Sequence, residues 1–258
     1  MNKNVLIGID GGGSFIRVAV SDFDGNILSH VKWTGGAFIL KDANAKENMY
    51  GAVTSALNKG GVRPENVASI GAGIAGYDRE EDLNWIKSLI DIEGLSCPIK
   101  YVNDTEIAHI GAFQFKQGII AICGTGSTIL GINEKGKHIR NYDLNHYANA
   151  SSRLLTHEFV NRVLLGEQDS TDEAIKDQLF KHFEVLNLSQ LEKRYSEDAK
   201  IWNGPINKLW GEFAKNITEC AANGSHLAQA VCNQAAMEVS KGIELVSSYF
   251  EEPIWDVA

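Results

Sequence analysis

One layout occurs twice in this sequence, and it constrains the fold more than any other feature. An apolar run, residues 4–9, enters the turn Asp10-Gly11-Gly12-Gly13-Ser14 and leaves through a second strand-like run, residues 15–20. In the second half, residues 118–123 enter Gly124-Thr125-Gly126-Ser127 and leave through residues 128–132. Each copy continues through a polar turn (22–26 and 133–137) into a third strand pattern, 27–33 and 138–140. Short apolar runs bounded by turn residues read as buried strands. Glycine between two strands lets backbone N–H groups approach an anion with no Cβ in the way. The copies share layout rather than long identity, so they predict an internal structural repeat.

The remaining segments fill in an α/β chain. A helix is predicted over 45–58, with Met49, Val53, Ala56 and Leu57 on one face and Gly60-Gly61 as its stop. Then follow a strand (67–74), a helix (79–90), a strand (99–102) and a helix (105–113). Strands alternating with helices imply a parallel part of the sheet. The first half thus reads as a mixed βββαβαβα sheet, and a boundary near 115–118 divides the chain into domains 1–116 and 117–258. From about residue 150 the pattern is helical. Ser170 with Glu173 suggests a capping box. Single helices are predicted over 186–195 and 208–221, and a long one has Leu227, Val231, Ala235, Val239, Ile243, Val246 and Phe250 on one face, with Ser225 as its cap. Residues 253–258 read as the start of a buried strand, so the second domain is expected to be incomplete at its C-terminus.

Composition narrows the class. With 258 residues, 44% hydrophobic, 22% charged and only 4 Pro, the chain is neither disordered nor collagenous nor of low complexity. A net charge of −9 offers no basic footprint for nucleic acid or for an anionic membrane. Cys97, Cys123, Cys220 and Cys232 lie far apart without a metal-binding spacing, and read as idle thiols of a reducing cytosol. No signal peptide or membrane-length apolar run is present, so a cytoplasmic protein is expected.

Three elements carry chemistry. The two glycine turns, with the hydroxyls of Ser14, Thr125 and Ser127, suit phosphate; neither is a P-loop or a GxGxxG fingerprint. Asp10 at the first turn would repel phosphates unless a cation intervened, which predicts Mg²⁺ held mostly through water. Asp104, in Asn103-Asp104-Thr105-Glu106, follows a buried strand and opens a helix. Two readings stand for it: a general base at the C-terminal edge of a parallel sheet, or the cap of that helix.

The stretches IGIDGGGS, GAGIAGYD, VNDTEIAHIGA and AICGTGSTILG, in this order and spacing, resemble the BadF/BadG/BcrA/BcrD ATPase family, most of all its N-acetylglucosamine and glucosamine kinase branch. That family belongs to the actin/hexokinase/Hsp70 superfamily, and the resemblance covers essentially the whole chain. It implies two ribonuclease H-like (actin-like ATPase) domains facing a cleft, with ATP and Mg²⁺ as cofactors. It makes Gly11, Gly12, Gly13 and Ser14 the first phosphate loop, and Gly124, Thr125, Gly126 and Ser127 the second. Asp104 becomes the catalytic base, with Gly76, Tyr77 and Asn103 beside it on the substrate side and Asp10 on the metal. Gly224 lies in a helix junction near the nucleotide, where Ser225 replaces a more usual Asp. The implied activity is phosphorylation of N-acetylglucosamine, glucosamine or a related amino sugar, with a homodimer as a further expectation.

Departures from the family fall mostly on the sugar side. Residues 140–151 replace a GGWG…GDEGS-like segment, and Gly35-Gly36-Ala37-Phe38 replaces an Asn after the third strand. The family's second adenosine loop, which follows the strand beginning here at Ile254, is missing, and this predicts weak ATP binding with poor base discrimination. Two other functions compete. One is a degenerate, non-catalytic sugar- or nucleotide-binding protein. The other is an ATPase activator of an iron–sulfur enzyme, for which Cys123 is the only hint.

Overall fold

In a computed structural model, the described residues are 4–38, 40, 42–201, 204–252 and 256–258. The chain divides into two compact units, Met1–Lys116 and Gln117–Ala258.

The first unit is built on β1 (Val5–Gly11), β2 (Phe15–Ser21), β3 (Ile27–Thr34), α1 (Ala45–Gly60), β4 (Val67–Ile74), α2 (Leu83–Lys87), β5 (Ile99–Asn103) and α3 (Asp104–Phe113). The sheet order is β3-β2-β1-β4-β5. The first three strands form an antiparallel meander, while β4 and β5 run parallel to β1. Alternation puts Val5, Ile7, Ile9, Ile16, Val18 and Val20 into one core, which Met49, Val53 and Leu57 of α1 cover. The helix α3 lies so close to β4 that any side chain at Gly73 would overlap Ile107. One expectation fails here. The helix predicted over 79–90 is only the five-residue α2, preceded by a 3-10 turn, Glu80–Asp82. Asp82 Oδ2 accepts from the N–H groups of Asp78 and Arg79, which caps the 3-10 turn at Arg79, and regular α-helix begins only at Leu83.

The second unit opens with β6 (Gly118–Cys123), β7 (Ser127–Ile132) and β8 (His138–Arg140), an antiparallel meander in that order. Val257 bridges Ile119 in parallel, with Ile119 N–H donating to Asp256 O and Ala258 N–H to Ile119 O. The strands β1 and β6 therefore have the same surroundings: an antiparallel hairpin partner on one edge and a parallel segment on the other. The predicted strand residues 253–255 lie outside the described residues.

Among the described residues six α-helices follow: α4 (Ser152–Leu164), α5 (Glu173–His182), α6 (Leu188–Asp198), α7 (Gly204–Glu212), α8 (Ala214–Ala222) and α9 (His226–Ser247). One core lies among the helices, around Phe159, Phe183, Trp210 and Phe213. A second joins Ile119, Ile129 and Ile139 of the sheet to Val246. The face predicted for α9 serves both, with Leu227 and Val231 in the first and Val246 in the second. Two expectations are corrected. The single helix over 208–221 is broken into α7 and α8 at Phe213, whose ring is fully buried beside Phe159 and Phe183. The capping box is Asp169–Asp172 rather than Ser170–Glu173, because Asp169 Oδ1 accepts from Thr171 N–H while Asp172 Oδ2 accepts from Asp169 N–H. Among the described residues no helix is long and apolar enough to cross a membrane.

Candidate active site

Strand register assembles the first half of the site. Asp10 pairs with Gly73 and Gly11 with Ile74 across β1 and β4, and Ile74 pairs with Asn103 across β4 and β5. The segments after these strands, Gly11 to Ser14, Ala75 to Asp78 and Asn103 to Asp104, therefore emerge at one edge of the sheet. This is the carboxyl edge of parallel strands, where open α/β sheets bind ligands. Ala75 N–H donates to Gly11 O at 2.8 Å and ties the first two segments together. Asn103 ties the other two. Its Nδ2 donates to Tyr77 O at 3.1 Å and to Asp78 Oδ1 at 3.4 Å, and its Oδ1 accepts from Thr105 N–H at 2.9 Å.

The cap of α3 is thus Asn103, and Asp104 is the first residue of the helix. Burial pushes the Asp104 carboxyl above the ordinary carboxylate range. The Thr105 N–H opposes that rise, and the negative charges of Asp10 and Asp78 add to it. Asp10 faces Arg17 directly across the hairpin, and Arg17 Nη1 donates to Asp10 Oδ2 at 2.7 Å. Sequence reasoning missed Arg17 and Asp78. Asp78 stood within a quoted motif, but only the fold brings its charge to bear on Asp104.

The glycines divide by what the chain itself requires. At Gly76, φ is +83° and a Cβ would meet the Phe38 ring at 2.6 Å, so the fold alone demands glycine there. Gly224 has φ +96° at the junction of α8 and α9, with the same consequence. By contrast, a Cβ on Gly13, Gly124 or Gly126 meets nothing within 4 Å, and none of the three is left-handed. Neither backbone conformation nor packing accounts for glycine at these positions, and a ligand pressed against the backbone would.

The second turn is held within its own unit. Gly124 N–H donates to Gly126 O, and Ser152 N–H at the start of α4 donates to Gly124 O, both at 2.8 Å. Thr125 lies between them, and Ser127 Oγ is buried with no hydrogen-bond partner among the described residues. Beside the turn is a mostly apolar cavity of about 380 Å³, whose lining includes Cys123, Ser152, Lys215, Thr218, Cys232 and Val239. Burial pushes the Cys123 and Cys232 thiols up, so both stay neutral at physiological pH. Ser225 turns inward. Its Oγ donates to Asp172 Oδ1 at 2.6 Å and accepts from Ala228 N–H at 3.2 Å, capping α9. In the atypical segment 140–151, the buried Asn141 accepts from Ile129 N–H and donates to His146 O.

Among the described residues, no group of three or more His, Cys, Asp or Glu side chains is arranged to hold a metal ion. One Asp10 oxygen is already engaged by Arg17. This donor set suits a cation that arrives with its own ligands and meets Asp10 through water, rather than one caged by protein.

Several known proteins resemble this chain. Over 142 residues it is 35% identical to the N-acetylmuramic acid/N-acetylglucosamine kinase of Clostridium acetobutylicum, a match covering 55% of this chain and 46% of that relative. The chain thus spans less than half the length of that protein in the matched stretch. It is 29% identical over 241 residues to the glucosamine kinase of Vibrio cholerae, covering 92% of this chain and 78% of the relative. Among solved structures, a candidate N-acetylglucosamine kinase from Chromobacterium violaceum superposes with a TM-score of 0.76 at 16% identity, over 100% of this chain and 88% of that one. A ROK family glucokinase from Streptomyces griseus, solved with glucose and AMPPNP, gives 0.61 at 19% identity, over 98% and 82%. At such identities the structural likeness concerns the α/β fold with its mixed sheet. The sequence model of the BadF/BadG/BcrA/BcrD ATPase family, however, matches residues 7–252, and the chain belongs to that family.

Proposed function

We propose that this protein is an ATP-dependent kinase of N-acetylglucosamine, glucosamine or a related amino sugar, working in the cytoplasm. The observation that carries the reading is Asp104. It is a partly buried carboxylate that shares the Thr105 N–H with the cap Asn103, at the carboxyl edge of the parallel strands β1, β4 and β5, with the end of β4 between it and the first glycine turn. In the reaction, Asp104 takes the proton of a sugar hydroxyl as its oxygen attacks the γ-phosphorus of ATP. The bond to the β-phosphate oxygen breaks, and ADP leaves. A carboxyl raised by burial is a stronger base than an exposed one, which suits this step.

Gly11, Gly12, Gly13 and Ser14 are assigned to phosphate, and so are Gly124, Thr125, Gly126 and Ser127. The orphaned hydroxyl of Ser127 supports the second assignment. The cavity beside the second turn is assigned to the nucleoside, with Gly224 serving the helix junction behind it. Mg²⁺ bound by the ATP phosphates neutralises their charge, and Asp10 is its proposed water-mediated partner. Tyr77 is assigned to the sugar, while Gly76 and Asn103 act by shaping and holding the turn that carries it.

The test is ADP release from Mg-ATP in the presence of a panel of sugars. Release stimulated by an amino sugar is the expected result. Nucleotide or sugar binding without turnover would replace this reading with a non-catalytic binding protein.

A further inference from the structure

After β3 the chain crosses beneath the first glycine turn as a short strap, Gly35, Gly36 and Ala37. Gly35 N–H donates to Ser14 O at 3.1 Å, and Ala37 N–H donates to Gly12 O at 3.0 Å. Between them, Gly36 lies so close that a Cβ would overlap the Gly13 carbonyl oxygen. The carbonyls of Gly12, Gly13 and Ser14 thus all face the strap. In a trans peptide unit the C=O and the following N–H point in opposite directions. Holding these carbonyls on the strap side therefore aims the N–H groups that follow Gly12 and Gly13 away from it, which is the arrangement that binds an anion.

The strap has its own clamp. Asp42 Oδ2 accepts from Gly36 N–H at 2.9 Å and from Asn48 Nδ2 at 3.0 Å. Asn48 Nδ2 also donates to Gly36 O at 3.1 Å. Asp42 Oδ1 accepts from Asn44 N–H at 2.9 Å, which fixes the clamp to the start of α1. Both backbone polar groups of Gly36 are therefore held by side chains. We propose that Asp42 and Asn48 are positioning residues for phosphate binding: they fix the strap, and the strap fixes which way the Gly12 to Ser14 turn presents its N–H groups. The inference rests on the reading of that turn as a phosphate loop.

The test is calorimetric titration of Mg-ATP into the full chain and into Asn48→Ala, Asp42→Asn and Gly36→Ala, with the melting temperature and the sugar KM measured alongside. Asn48→Ala and Asp42→Asn should each weaken Mg-ATP by roughly tenfold, the worth of one charge-assisted hydrogen bond to phosphate, with the sugar KM unchanged. Gly36→Ala, which drives the Gly13 carbonyl away, should weaken it further; if that variant does not fold, the two side-chain variants decide. Variants that bind Mg-ATP as the parent does would overturn the inference and leave the phosphate-loop reading standing. Loss of ATP and sugar affinity together with a lowered melting temperature would also overturn it, since that is how a purely structural clamp behaves. A parent chain that does not bind Mg-ATP would remove both the loop reading and the inference.

Discussion

Asp104 and Gly13 show how single residues carry information that packing does not explain. The fold raises the Asp104 carboxyl by burying it, so the ionised form is the one the folded state disfavours. A carboxyl with a raised folded pKa costs stability above its unfolded value, and the cost vanishes once both states are protonated at low pH. Asp104→Asn should therefore lower kcat by about 10²–10⁴-fold, the usual worth of a general base, while leaving Mg-ATP affinity intact. It should also melt no lower than the parent at neutral pH, with any gain shrinking as the pH falls toward the unfolded carboxyl value; near-normal turnover would end the assignment of Asp104 as base. Gly13→Ala probes the opposite case. The added methyl meets no protein atom, so chemical denaturation should show unchanged or slightly raised stability. Titration should show weaker Mg-ATP binding, whereas unaltered affinity would mean that no ligand approaches Gly13.

At the scale of an element, the start of α9 is the clearest case. Ser225, Asp172, Thr171, His226 and Asp169 form one network there. Leu227 N–H donates to Asp172 Oδ1 and His226 N–H to Thr171 Oγ1. Ser225→Ala removes the cap and leaves the buried Asp172 short of a donor, so urea unfolding should show a loss of about 1–2 kcal/mol. Hydrogen bonds from Thr171 and His226 hold the Asp169 carboxyl down at about 2, from an ordinary value of 3.8. A depressed folded pKa contributes stability that is present above the unfolded value and is lost as pH falls through the folded one. The melting-temperature deficit of Asp169→Asn should accordingly be full above 3.8 and fade toward pH 2. Further along α9, Gly242 leaves room for the His146 ring and the Ile129 side chain, both buried. Alanine gains about 1 kcal/mol of helix propensity, but overpacking costs about 1–3 kcal/mol. Gly242→Ala should therefore lower the melting temperature despite the better helix former.

Over the whole molecule, charge sets the terms on which the proposed nucleotide would bind. The chain carries a net charge of −9, and Asp10, Asp78 and Asp104 concentrate part of that negative charge at the sheet edge. Bare ATP would meet repulsion that a divalent cation removes. Chelating divalent ions with EDTA should weaken ATP binding and abolish phosphoryl transfer, and excess Mg²⁺ should restore both. Binding of equal strength with and without Mg²⁺ would contradict the role given to the cation. The same acidity is consistent with a small-molecule substrate in place of a polyanion.

The sequence by itself determined the strands, the glycine turns and the long helix α9, because apolar periodicity, turn residues and caps act within a few positions of one another. Val67–Ile74 and Gly118–Cys123 form strands at the bounds their patterns indicate, and Ser225 caps α9 as its hydroxyl and the following apolar face suggest. Motif spacing also brought Asp104 and both glycine turns into view as candidates. What it left open was every question about partners. Whether Asp104 or Asn103 caps α3 depends on where the 75–78 turn lies, since Asn103 is held by Tyr77 and Asp78. The pairing of Asp10 with Arg17 depends on hairpin register, and the clamp on the strap depends on α1 packing against β2 and β3. The break at Phe213 comes from burying that ring among residues far away in sequence, which no local helix pattern records. Local chemistry chooses the elements, but orientation, protonation and hydrogen-bond partnership are set by neighbours that only the tertiary structure supplies.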